Sequence, residues 1–526
     1  MSDAVVIGSG PNGLVAANML ADHGWSVTVL EAQPTLGGAV RSDSEVHDGF
    51  VHDTFSAFYP LAAASPTIRA LQLEDHGLDW VHAPAVLGNP LLGGGWAMVY
   101  RDRDRTARYL DELHPGDGQA WLDLCALWDR IGPATVDALL HPFPPIHHGA
   151  RLAARLPRSG GLSALRLFFT PVRRLAEERF GGDGARLLLT GNALHADFSP
   201  DAVGSGLFAL LMSMLGQTVG FPVPRGGAGR LTEAMARRLE SVGGVVHTSS
   251  EVAAVVIRRG RAVGVRLLDG SGVSARRAVI ANVTAPSLYG GLVPLDELPD
   301  RVVRGIRSFE WDPATIKVDW ALSSPVPWSP MPDADPGTVH VAHSVDELAT
   351  FAAQMAGHTV PSDPFLLMGQ MTSTDPGRSP PGTESAWAYT HVPQHVHADA
   401  GDAGITGAWD SADCERMADR MQARIEQFAP GFSDRVLARR VLGPRELEQR
   451  NVNLHGGATN GGTANLHQQL IFRPVPGLGR AETPIAALYL GSASAHPGGG
   501  VHGAAGANAA KAALAHDRLR RWTFRS

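Results

Sequence analysis

The sequence predicts an α/β fold with a Rossmann-type dinucleotide-binding domain and an α+β domain beside it. Three observations predict this. The first 41 residues run strand, glycine-rich turn, helix, strand, acid. A block from 222 to 286 alternates glycine turns with one helix and several strands. Between 287 and 445, strand-like runs and one amphipathic helix form a separate mixed pattern. At 526 residues the chain is long enough for two or more domains.

The N-terminal run Ala4-Val5-Val6-Ile7 reads as a buried strand, followed by Gly8-Ser9-Gly10-Pro11-Asn12-Gly13 and an apolar helix over Leu14 to Ala21. Gly8 serves the tight turn, Gly10 lets the backbone approach a pyrophosphate, and Gly13 lets helix and strand pack closely. The helix N-terminus offers N–H groups and a positive dipole end to phosphate. A second strand, Ser26 to Leu30, ends on Glu31, 18 residues past Gly13, with Ala32 next to it. Glu31 can accept hydrogen bonds from adenosine ribose hydroxyls, and Ala32 is counted with it among the cofactor-binding residues. These residues do not choose between NAD and FAD.

The next segment narrows the choice. In Leu36-Gly37-Gly38-Ala39-Val40-Arg41-Ser42, two glycines let the chain pass near a ligand, and Arg41 can pair with a phosphate through its planar fork. The fingerprint followed by G-G-x-x-R resembles the flavoproteins of the amine-oxidase and phytoene-desaturase superfamily, and the resemblance implies FAD.

Composition bounds the rest. The chain is 18% charged and 44% hydrophobic, which is globular rather than disordered. Its net charge of −7 and lack of a basic domain argue against nucleic acid as a partner. Cys125 and Cys414 are the only cysteines, so there is no C-x-x-C pair and no disulfide framework; electron chemistry must come from a bound cofactor. No signal-peptide pattern precedes the first strand, so a cytoplasmic protein is expected. The longest apolar run, Gly206 to Leu215, is too short to span a bilayer. It reads as a buried helix, with a greasy tunnel wall or a peripheral membrane contact as alternatives. His141, His147 and His148 share a proline-rich turn without supporting carboxylates, and no metal site is expected.

Along the chain, His47 to Thr54 reads as a strand and turn, and 61–222 as mostly helical with proline breaks. A helix over Leu231 to Val242 is followed by a β-hairpin, Glu251 to Ile257 with Ala262 to Leu267, and by the strand Ala278 to Asn282. The resemblance places Val252 against the adenine and Ala281 near the cofactor. Thr315 to Leu322 alternates as a half-buried strand, Phe365 to Thr372 and Ala386 to Val392 read as two more, and Cys414 to Phe428 as an amphipathic helix.

Near the C-terminus, the strand Ala487 to Leu490 enters Gly491 and Ser492, then His496-Pro497-Gly498-Gly499-Gly500-Val501-His502-Gly503. A small-residue helix is expected from Val501 on, its N-terminus aimed at the flavin or the ribityl–phosphate chain. The motif G-S-x-x-x-H-P-G-G-G-V-x-G-A-x-G-x-N-A-A resembles one branch of the superfamily. That branch holds phytoene-desaturase-like proteins, ketolase-type carotenoid oxidoreductases and the animal pyridine nucleotide-disulfide oxidoreductase domain-containing protein 2. The resemblance implies a discontinuous FAD-binding domain over 1–60, 222–286 and 446–526, with a substrate domain over 61–221 and 287–445.

The family's chemistry is hydride transfer from a substrate C–H bond to flavin N5, giving desaturation or oxidation. The candidate proton acceptors are His496, His502, His52 and Asp53. The expected substrate is small and hydrophobic, of isoprenoid or carotenoid type; the alternatives are an amine or amino-acid oxidase and a non-catalytic FAD-bound regulatory protein. The electron acceptor (oxygen, a quinone or another carrier) and the oligomeric state stay open.

Overall fold

The computed structural model describes residues 2–91 and 93–523. Its first sheet is built around strand β1 (Ser2–Ile7), which is joined through helix α1 (Pro11–Asp22) to strand β2 (Val27–Leu30). Parallel strands flank this pair: 245–247 beside β2, and 272–281 beside β1 with 488–490 beyond it. Ile7 lies in register with Leu30 on one side and Ala281 on the other. Parallel strands are covered on both faces, so β1 reads as a near-continuous apolar run rather than an alternating one. The strand 272–281 is long enough to serve twice. Its first residues pair antiparallel with 261–267, which pairs in turn with 252–258.

Helix α1 lies between strands, the helix 229–241 and the helix 504–523, and nine of its twelve residues are buried. The approach of the last helix is very close. A Cβ on Gly506 would sit 1.8 Å from the Asn12 carbonyl oxygen, and one on Gly13 would sit 2.1 Å from that of Gly8. The small residues of the C-terminal motif therefore serve helix packing as well as any ligand.

The second sheet has seven strands in the order 436–442, 314–322, 384–392, 366–370, 336–341, 85–90, 96–99. It is mixed: 85–90 runs parallel to 336–341 and the other neighbours are antiparallel. The helix 411–426 packs on one face, setting Met417 and Met421 against a core that includes Trp320 and Phe432. Helices 117–140, 183–195 and 205–218 gather against the strands 85–90 and 96–99.

Three expectations need correction, and one alternative falls away. The region 61–222 is helical but also donates two strands to the second sheet. Their glycine- and proline-containing sequence, Gly88-Asn89-Pro90, hides the strand pattern. The strand Ala314–Leu322 is buried along its whole length rather than half-buried, because its polar row faces a cavity and an internal ion-pair network instead of water. The last helix begins at Ala504, not Val501. Helix 205–218 is interior, with Leu210 and Met214 at 0% exposure, which rules out its membrane-contact reading.

A buried charge network ties the hairpin formed by 42–43 and 52–53 to the 375–378 turn that follows strand 366–370. The Arg378 guanidinium donates to both carboxylate oxygens of Asp53 at 3.1 Å, and its Nε donates to Asp375 at 3.0 Å. Asp53 also accepts from the Ala228 N–H and the Ser42 hydroxyl, both at 2.7 Å.

Candidate active site

A cavity of about 1230 Å³ opens where the C-terminal ends of β1 and β2 meet the second sheet. Single-ligand pockets run to roughly 300–1,000 Å³, so this space suits a cofactor and a substrate together. At one end its walls are Gly8, Gly10, Pro11, Asn12, Glu31 and Ala32. At the other are Asp197, Thr315, Lys317, Tyr389 and His391.

The first end is shaped for a dinucleotide. Gly8 sits at φ +90°, and Gly10 is the N-cap of α1 and contributes no side-chain oxygen. α1 opens on the cavity without a side-chain cap. A phosphate there would meet uncapped N–H groups and the positive end of the helix dipole. Asn12 Oδ1 is buried without a partner beside it. Glu31 is held in place by Ser9, whose N–H and hydroxyl donate to Oε2 at 2.9 and 2.7 Å, and by the Gln33 N–H, which donates to Oε1 at 2.9 Å. A carboxylate has about four acceptor directions, so capacity remains for a ribose hydroxyl. Gly38 packs against Gly10, its hypothetical Cβ 3.0 Å from the Gly10 Cα. The residues present fit FAD.

Ser492, Gly499, Gly500 and Val501 line the same cavity, as does Val252. Gly500 has φ +97°, and an added Cβ would lie 2.8 Å from Leu61 Cδ1. Gly500→Val therefore forces a β-branched residue into a left-handed conformation at the cavity wall. We expect Gly500→Val and Glu31→Ala each to lower the flavin absorbance retained per protein after gel filtration. Full retention in both would contradict the site.

Other expected contacts lie behind the wall. Ser9 and Gly37 position Glu31, the Gly37 N–H donating to Ser9 Oγ at 3.1 Å. Gly13 and Gly491 serve packing, Gly491 against Ala509 and Gly506. Ala281 is buried in its strand, and the next residue, Asn282, lines the cavity instead. Arg41 does not line the cavity: its guanidinium donates to the Arg450 carbonyl at 2.8 Å and to Thr35 Oγ1 at 3.0 Å. It thereby orders the 450–454 segment, whose residues do line the cavity.

The proton acceptors need larger correction. His52 and Asp53 are fully buried outside the cavity lining; His52 Nε2 faces the Trp320 carbonyl at 3.1 Å, and Asp53 belongs to the Arg378 network. His502 lines the cavity, but both ring nitrogens are engaged. Nδ1 accepts from the Ala504 N–H at 3.0 Å and so caps the last helix, while Nε2 donates to the Gly499 carbonyl at 3.2 Å. His496 Nε2 donates to the His141 carbonyl at 3.0 Å, leaving Nδ1 buried and unpartnered. Burial pushes both imidazoles down to about 4, so each is neutral and weakly basic.

The far end holds groups that the sequence reading missed. Asp197 sits at φ +62° and pairs through Oδ1 with His391 Nε2 at 2.7 Å; Asn460 Nδ2 donates to Oδ2. The other His391 nitrogen meets the Thr315 hydroxyl at 3.3 Å. Burial alone would lower His391, but the adjacent Asp197 carboxylate holds it above its ordinary value. Lys317 is buried in an ion pair with Asp319, which also accepts from Arg440. Behind Asn460, Asp312 accepts the N–H groups of Thr459, Asn460 and Gly462. The one available signal was the row Thr315, Lys317, Asp319 on a single strand face.

These shifts set a pH response. His195, His496 and His502 line the cavity and are each pushed down to about 4, chiefly by burial. Their ordinary value is 6.5, so the unfolded chain binds more protons between those limits. Their contribution to stability is present above 6.5 and is lost as pH falls towards 4. Asp312, raised from 3.8 to about 6 by burial and the Asp197 charge, opposes this in the lower part of the window. Glu384, raised by burial from 4.5 to about 7, and His391, held above 6.5, oppose it too, but burial also lowers His52, His82, His141 and His340, so the imidazoles outnumber the opposing groups and the thermal midpoint is expected to fall on acidification from pH 7 to 4.5. Differential scanning fluorimetry checks it, and a flat or rising midpoint would contradict the neutral-imidazole arrangement.

Cys125 and Cys414 are free and buried, and burial pushes their thiols up to about 11 and about 12. Neither is poised as a thiolate. Among the described residues, no group of three or more histidines, cysteines or acids is arranged to hold a metal.

The comparisons with known proteins agree with this geometry. A family model described as flavin containing amine oxidoreductase matches residues 12–379. The chain is 29% identical to pyridine nucleotide-disulfide oxidoreductase domain-containing protein 2 of Mus musculus, covering 97% of this chain and 92% of that one. It is 24% identical to a phytoene desaturase (neurosporene-forming) of Cereibacter sphaeroides, covering 98% and 95%. An oxidoreductase structure from Methanosarcina mazei superposes with a TM-score of 0.61 at 16% identity, covering 97% and 99%.

Proposed function

The chain belongs to the family of flavin containing amine oxidoreductases, and from that premise we propose that it oxidises a small apolar, isoprenoid-type molecule at a C–H bond. That it is an FAD-dependent oxidoreductase follows from the family; the substrate is our reading. The observation that supports it is the wall joining the cofactor end of the cavity to the Asp197 end. Leu207, Phe208, Leu211 and Met212 of helix 205–218 form it with Phe168 and Phe198. Phe198 and Phe208 stack with ring centroids 4.2 Å apart. Such a surface favours an apolar ligand with few polar groups. We also read the stretches 1–60, 222–286 and 446–526 as the FAD-binding domain and the remainder as the substrate domain.

FAD, when bound, supplies the two-electron acceptor for a hydride from carbon. Gly10, the α1 N-terminus, Glu31 and the 499–501 segment would hold it. Loss of hydride leaves positive charge on the substrate, and the Asp197 carboxylate can stabilise it. Asp197 then takes the proton of the neighbouring carbon, and the electrons of that C–H bond become the new double bond. His391 and Asn460 hold the carboxylate in place, and the aromatic wall excludes water.

A second reading, amine oxidation, is favoured by the same carboxylate, which would also attract an ammonium group. Anaerobic mixing of the holoprotein with detergent-dispersed acyclic isoprenoids and with a panel of primary amines separates the two. Flavin bleaching by an isoprenoid, with a product two hydrogens lighter, is the expected result. Bleaching only by amines, with ammonia released, would replace the first reading with the second.

A further inference from the structure

Among the described residues, eighteen large apolar side chains are exposed, and nine of them come from residues 146–169, Val203 and 466–472. So small a share of the chain holding half of them marks a patch, not scatter. Ile146, Leu162, Leu165 and Phe169 form one side of it, with Leu162 83% exposed. Leu466, Leu470, Ile471 and Phe472 form the other. Phe169, Leu466 and Leu470 are exposed and also line the cavity, so the apolar wall runs out to solvent between the two segments.

The helix 146–155 has no buried residue. Its half-buried Leu152 packs inward with Leu156, while Ile146, Ala150 and Ala154 stand on the outer face, and Arg151 and Arg155 flank them one turn apart. From 138 to 176 the chain carries six arginines, no lysine and no acidic residue, in a protein of net charge −7. Arg166 pairs with Glu178, but Arg151, Arg155 and Arg158 have no carboxylate partner among the described residues.

We propose that this rim docks on the surface of an anionic lipid bilayer. Its apolar side chains enter the headgroup boundary, its arginines meet lipid phosphates, and the cavity mouth opens directly on the membrane. An apolar substrate would then reach the cavity without crossing water. That use rests on the proposed substrate; the contact itself does not. A second copy of the chain fits the patch less well, because a two-fold contact would set the unpaired arginines of one copy near those of the other. Among the described residues no helix is long and apolar enough to cross a membrane, so the contact is peripheral.

Flotation of the FAD-loaded full chain tests the proposal, using vesicles of phosphatidylcholine with and without phosphatidylglycerol at low salt. The protein is expected to float with the phosphatidylglycerol vesicles and to be released by added salt. Arg151→Glu with Arg155→Glu should lower partitioning by about 30-fold or more. Ile146→Ser with Leu162→Ser should lower it as well, with flavin absorbance unchanged in both variants. No flotation, or equal flotation of the unaltered protein and both variants, would overturn the proposal. So would a dimer in the absence of vesicles that these variants convert to monomer. Flavin bleaching by detergent-dispersed substrate does not require docking, so a failure of this surface and a failure of the proposed substrate are told apart.

Discussion

Asp197→Asn is expected to leave FAD content unchanged and to slow anaerobic flavin reduction by substrate by about 10²–10⁴-fold, the usual scale for removing a positioned acid or base. Asparagine is the right probe because Asp197 has φ +62°, a conformation that asparagine tolerates far better than most residues. The change keeps side-chain size and an acceptor for Asn460, and removes the charge. It also removes what holds His391 above its ordinary value, so His391 should titrate lower in the variant. A merely structural Asp197 would leave the pH profile of flavin reduction in place. A variant that bleaches at the unaltered rate, with an unmoved profile, would remove Asp197 from the mechanism.

Arg378→Met is expected to destabilise the protein by about 3–5 kcal/mol, the cost of stranding buried charges. Asp53 and Asp375 have 0% and 1% side-chain exposure and would lose their counter-ion. Arg103→Met is the control. Its pair with Asp129 is substantially exposed, at 32% and 52%, and such pairs contribute about 0–1 kcal/mol. Urea denaturation of both variants measures the contrast. Equal midpoints would show that the Asp53–Arg378–Asp375 network does not stabilise the fold.

The cofactor end of the cavity was legible because its requirements are local. Gly8, Gly10, Gly13 and Glu31 sit in one strand–turn–helix–strand unit, and each has a backbone or hydrogen-bonding reason to be there. The far end was not legible. Asp197, Thr315 and His391 lie in three separate stretches, and only the antiparallel pairing of Thr315 with His391 brings two of them together. His502 shows the opposite failure. It was read as chemistry because of its position in the motif, but a helix that starts three residues later than expected uses its Nδ1 as a cap. Asp53 was misread for a related reason: a lone acid near the fingerprint carries no mark of the distant Arg378 that neutralises it.

The contact between Gly506 and the Asn12 carbonyl has a consequence for synthesis. It joins the first helix of the chain to the last, and the strand Leu488–Leu490 completes the same sheet only shortly before. A ribosome exposes β1 and α1 early, yet must translate past residue 510 before they meet their partners. During that interval an apolar helix and the unpaired edges of parallel strands stand open, the kind of surface on which nascent chains misassociate. Cofactor loading therefore follows synthesis of the 488–510 segment, and a chain that stopped short of Leu488 would hold Gly10 and Glu31 but lack the strand, the 499–501 wall and the helix that close the site.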